Sequence, residues 1–113
     1  MRAEDGCLLR IFAGEGDKHG GRPLYEWIVA QAREQHLSGA TVYRGLMGFG
    51  AHTRVIHTFK IERLAEDLPI VIEVVDTQDK LNGFLTFLEQ HIGSGLLATL
   101  QSIEIRLLQG PTE

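Results

Sequence analysis

The sequence predicts an α+β fold in which two β-α-β halves, joined by an extended arm, form a four-stranded antiparallel sheet with both helices on one face. Three observations carry this prediction. Two sets of residues recur at helical spacing, Tyr25-Ile28-Val29-Ala32-His36 and Leu81-Phe84-Leu85-Leu88-Ile92. Each helix is flanked by strand-like runs: Cys7 to Ala13 and Ala40 to Met47 around the first, Ile70 to Val75 and Thr99 to Leu108 around the second. A further alternating run, Val55 to Leu64, lies between the halves. This order is that of the ferredoxin-like βαββαβ sandwich. The 113 residues read as a single domain, 1–113, and the 43% hydrophobic content is that of a chain that buries a core.

Composition excludes several function classes. A formal net charge of −4 argues against a general nucleic-acid binder. The lone cysteine, Cys7, can form no intrachain disulfide and no cysteine zinc cluster, and it opens an apolar run as a small buried hydrophobe. No run reaches the roughly 18 apolar residues of a membrane span. The opening MRAEDG is acidic where a signal peptide needs an apolar core. The expectation is a cytoplasmic protein without membrane insertion.

In chain order, CLLRIFA (7–13) is a short apolar strand between Gly6 and Gly14. GEGDKHGG (14–21) is a glycine-rich loop that carries Glu15, Asp17, Lys18 and His19, and it reads equally as a ligand-facing βα loop or an ordinary flexible connection. Pro23 suits a first helical turn and Gly39 suits the exit of that helix. His36 reads as a helix-end histidine and Trp27 as packing or interface. In the next strand Ala40, Val42, Arg44 and Leu46 alternate with Thr41, Tyr43, Gly45 and Met47, running into Gly48-Phe49-Gly50. Glycines at a strand end let the backbone bend and let a ligand reach main-chain N–H groups. With Arg54, His52 and His57 nearby, this stretch is the expected functional surface, one suited to an anion.

After a polar turn, IVIEVV (70–75) is a β-branched strand whose Glu73 must find water, a partner or an interface. Asp76 is placed to cap the second helix, with Asp79 in its first turn. Gly83 inside that helix costs about 1 kcal/mol against alanine, which close packing would explain. Gly93-Ser94-Gly95 ends it. The strands are apolar on both faces, Leu8 and Phe12 as well as Leu9 and Ile11, Val71 and Val75 as well as Ile70, Ile72 and Val74. A sheet with helices on one side only should alternate. The second apolar face therefore predicts self-association, as a closed ring.

Several motifs carry a family resemblance. The strand Leu68-Pro69-Ile70-Val71-Ile72-Glu73-Val74-Val75-Asp76 after Glu66-Asp67 resembles the strand after the T-loop in PII signal-transduction proteins. Gly14-Glu15-Gly16-Asp17-Lys18, Pro23-Leu24-Tyr25-Glu26, Gly39-Ala40-Thr41-Val42, Arg44-Gly45 and Met47-Gly48-Phe49-Gly50-Ala51 resemble the PII-like family known as domain of unknown function 190. The resemblance spans residues 8 to 108. It implies a homotrimer with sheets facing inward, an adenine nucleotide (AMP, ADP or ATP) as regulatory ligand in the clefts between subunits, and a target protein, a membrane transporter among the candidates, met through the 49–58 loop. Gly48-Phe49-Gly50 lies where PII chains enter the T-loop, Gly93-Ser94-Gly95 where they have a phosphate loop, and Arg106 on the last strand where they carry phosphate-binding arginines. Leu96 and Leu97 stand where that pattern has lysine, Arg106 is the one arginine there, and residues 50 to 69 hold no tyrosine, so a nucleotide with fewer phosphates or another anion is the compatible ligand.

The expected ligand-binding residues are Lys18, Arg44, Gly48, Phe49, Gly50, Arg54, Gly95 and Arg106, with no catalytic residue, no metal ligand and no covalent cofactor. The alternative is a metal-binding or small enzymatic trimer on the same fold. His52 and His57 are spaced for neither one helix face nor one strand face. No GxSxG or HExxH motif is present, and although Asp67 and Glu73 could pair as acid and base in space, they read rather as a turn aspartate and an interface carboxylate. The RNA-recognition signature is also unmet, with Met47, Ala51 and Arg54 where it needs a basic residue and two aromatics.

Overall fold

The computed structural model describes residues 2–49, 67–92 and 95–111. The expected arm, Val55 to Leu64, lies outside the described residues. Strand β1 spans Arg2–Gly14, β2 Lys18–His19, β3 Arg22–Pro23, helix α1 Leu24–Glu34, β4 Gly39–Arg44, β5 Pro69–Asp76, α2 Gln78–His91 and β6 Leu97–Leu107. The main sheet has the order β4-β5-β1-β6, antiparallel at each junction. This is the expected ferredoxin-like arrangement.

Register assigns the two faces. Cys7, Leu9 and Ile11 of β1 and Ile70, Ile72 and Val74 of β5 are buried against Leu24, Ile28 and Ala32 of α1 and Leu81, Phe84 and Leu88 of α2. Closing this apolar layer is the main stabilising step of the fold, at about 25 cal/mol for each Å² removed from water. The opposite face is built in rows across the strands. Tyr43, Val71, Phe12 and Leu97 form one; Thr41, Glu73, Arg10 and Thr99 the next; Gly39, Val75, Leu8 and Gln101 a third. No helix covers these rows among the described residues.

Three elements depart from the sequence expectation. First, β1 begins at Arg2 and not at Cys7, because Arg2 to Gly6 pair with Leu107 to Ile103 of β6 as a two-stranded ribbon beyond the end of β5. In that ribbon a Cβ on Gly6 would lie 2.2 Å from the Ile105 side chain, so Ile105 takes the space glycine leaves. Second, the glycine-rich loop contains the β2–β3 hairpin, turned by Gly20 and Gly21 at φ 59° and 81°. Positive φ at both central positions is the geometry that suits the twist of a tight hairpin. Third, β4 ends at Arg44 and not at Met47. The Gly45 N–H donates to the Pro69 carbonyl at 2.8 Å, and a Cβ on Gly45 would lie 2.8 Å from Pro69 Cγ.

The helix ends correct two further expectations. Thr77, not Asp76, caps α2, its side chain accepting from the Lys80 N–H. Asp76 instead accepts from the N–H and hydroxyl of Ser38 and from the Thr77 N–H, tying the entry of β4 to the end of β5. His36, the expected helix-end histidine, and not Gly39 takes the left-handed position just past α1, at φ 62°, with His36 N–H to Arg33 O and Leu37 N–H to Ala32 O closing a Schellman pair. Gly83 has no heavy atom within 4 Å of where its Cβ would stand, so close packing does not account for it.

Outside the core, Trp27 stacks between layers as a packing residue. Its ring lies 4.0 Å from that of His19 and 5.9 Å from that of Phe87, clamping the β2–β3 hairpin to both helices.

Candidate ligand-binding site

Strands β1 and β4 run parallel, both being antiparallel to β5, so their carboxyl ends meet the start of β5 at one end of the sheet. Three backbone turns are tied together there. The Glu15 N–H donates to Leu68 O at 2.8 Å, the Gly16 N–H donates to Asp67 Oδ1 at 2.8 Å, and the Gly14 N–H donates to Asp17 Oδ2 at 2.9 Å. Arg44, the last residue of β4, places Nη2 2.5 Å from Glu15 Oε2. The Arg44 side chain remains more than half exposed, so this pair adds little to stability. Asp17 also fixes the start of α1, its carbonyl accepting from the Leu24 N–H at 2.8 Å.

Of the expected ligand residues, Arg44 and Gly48 lie together at this end of the sheet, a Cβ on Gly48 being 3.5 Å from the ring of Pro69. Gly48 has φ 149°, a conformation that side chains rarely adopt. Phe49 follows it and is 74% exposed. Lys18 stands on β2, just past the Gly14–Asp17 turn, and is exposed. Gly95 precedes Leu97, the register partner of Phe12, and so belongs to the same end. It lines a cavity of about 330 Å³ with Ile11, Leu88, Glu89, Ile92 and Leu96, a largely aliphatic wall with one carboxylate that, among the described residues, offers a phosphate no cation. Gly50 and Arg54 lie outside the described residues, as do His52 and His57.

Arg106 is not brought to this cluster within one chain. It pairs in register with Ala3, at the far end of β6, about 30 Å along the strand from Leu97. There its Nε is ion-paired with Glu104. Asp67 and Glu73 do not form an acid–base pair, since Asp67 binds the Gly16 N–H while Glu73 sits on the open face, 2.9 Å from Arg10 Nε.

The carboxylates of this end are what the sequence reading undervalued. Glu15, Asp17 and Asp67 occupy the positive groups of the Gly14–Gly16 turn and of Arg44. The Gly-x-Gly-Asp spacing signalled the local bond to Gly14; the partner 51 residues away gave no local signal. With the Gly14, Glu15 and Gly16 N–H groups bonded within the chain, the guanidinium of the half-exposed Arg44 side chain and the main chain at positive-φ Gly48 are what this end can offer an oxyanion. Among the described residues no group of three or more His, Cys, Asp or Glu converges on a metal position. No helix among them is long and apolar enough to cross a membrane.

Comparison with known proteins follows the fold. A UPF0166 protein of Aquifex aeolicus is 37% identical over 106 residues, covering 93% of this chain and 97% of its own. A UPF0166 protein of Methanocaldococcus jannaschii is 38% identical over 91 residues, 80% of this chain and 82% of its own. Among solved structures, CPII of Thiomonas intermedia K12, described as bound to ADP, AMP and acetate, superposes with a TM-score of 0.62 at 15% identity over 95% of this chain and 94% of that one. A protein of Thermus thermophilus described as PII-like signaling gives 0.62 at 16% identity over 93% of both. At these identities the structural likeness establishes the PII-like fold. The family model DUF190, "Uncharacterized ACR, COG1993", matches residues 6–105, and the chain belongs to that family.

Proposed function

We propose that this protein is a cytoplasmic, non-enzymatic PII-like regulator that binds an adenine nucleotide at the β1–β4 end of the sheet, in clefts between the subunits of a closed homotrimer. The observation that carries the reading is the meeting of Arg44, Gly48 and the Gly14–Lys18 turn at one end of a fold whose structural neighbours are described with ADP and AMP bound. Arg44 and Lys18 supply charge, and Gly48 lets a phosphate approach the main chain. In a ring with inward-facing sheets, Arg106 of a neighbouring copy completes the phosphate contacts that it is too distant to make in its own chain. Ligand binding shifts the population of the 49–58 loop toward the state that engages a target protein.

Calorimetric titration with AMP, ADP, ATP and divalent cations tests this. Nucleotide is expected to release heat and raise the melting temperature. Arg44→Ala is expected to weaken binding by about tenfold or more, the cost of one charge-assisted contact. Heat with a metal ion and none with any nucleotide would overturn the reading.

A further inference from the structure

The open sheet face carries one feature that a covering surface does not need for affinity. Across its four-stranded part the described charged side chains are Arg10 and Glu73 alone, paired to each other at 2.9 Å. Arg10 Nη1 also donates to Gln101 Oε1 at 3.1 Å. Arg10 and Glu73 sit between the apolar row containing Phe12 and Val71 and the row containing Leu8 and Val75, and Gln101 ends that second row beside Leu8. In the single chain Arg10 and Glu73 keep 37% and 24% of their side-chain exposure, so covering this face would remove water from both.

We infer that the Arg10–Glu73 pair sets the register and copy number of self-association, with second copies of this chain as the occupants of the face. This rests on the assembly reading above and adds to it the element that selects one assembly. The face is self-complementary in charge, one cation balanced by one anion, which suits another copy of itself. A guanidinium has five N–H donors, and the bonds to Glu73 and Gln101 use two. Once the face is covered, the remaining donors need acceptors in fixed directions. Apolar rows can slide against one another at small cost, but a desolvated guanidinium cannot. Only the placements that satisfy Arg10 survive. A buried polar group that selects register at a cost in affinity is an established device in helical assemblies.

Native mass spectrometry and sedimentation equilibrium of the full chain test the inference, with circular dichroism as the check on folding. Arg10→Ala and Glu73→Ala each strand one buried charge and are expected to weaken association about a hundredfold or more. The double variant Arg10→Met/Glu73→Leu is expected to associate at least as tightly as the wild type, but into more than one stoichiometry. That second result separates a register-setting pair from one that is merely buried. Single variants with wild-type mass and dissociation constant would overturn the inference alone, as would a double variant that forms only the wild-type assembly. A wild type that is monomeric at every concentration would overturn it together with the assembly reading.

Discussion

The two faces of β5 differ less in composition than in circumstance. Ile70, Ile72 and Val74 point one way and are at most 2% exposed; Val71, Glu73 and Val75 point the other way and are half-buried. Both faces are β-branched and apolar at two or more positions. What separates them is that α1 and α2 cover the first and no described element covers the second. Among the described residues, helices cover one face of the sheet, and the other presents apolar surface of the kind that marks an interaction site.

The sharpest way to break this comparison is to truncate one residue on each face. Ile72→Ala leaves a cavity among fully buried neighbours and is expected to cost about 2–5 kcal/mol in chemical denaturation. Val71→Ala is expected to cost the isolated chain about 1 kcal/mol or less, while weakening self-association measured by dilution. Equal losses from the two variants in the monomeric range would show that the open face is packed within one chain.

A smaller effect tests the outer side of the helical layer. Because nothing lies within 4 Å of a Cβ at Gly83, Gly83→Ala is expected to stabilise α2 by about 1 kcal/mol, read as a higher denaturation midpoint with an unchanged slope. A loss of stability there would mean that another surface sits against this helix.

What could be read from the chain follows the same division. The apolar periods of α1, α2 and β5 were legible because each is a local pattern that the helix–sheet layer uses directly. Residues Arg2 to Gly6 were not, since a polar run becomes strand only through pairing with Ile103 to Leu107 nearly a hundred residues later. The β2–β3 hairpin was legible in principle from Gly20-Gly21 but was hidden among the other glycines of the same loop. Of the site, Arg44 and Gly48 follow from strand alternation and from a glycine at a strand end. The bond from the Gly16 N–H to Asp67 and the remoteness of Arg106 depend on register, which no short window of sequence contains.

The central claim is that the helix-free face is where copies meet. Sedimentation equilibrium of the wild-type chain tests it most directly. The account predicts a single species at three times the 12.6 kDa chain mass across the micromolar range. A species of 12.6 kDa throughout that range would contradict it.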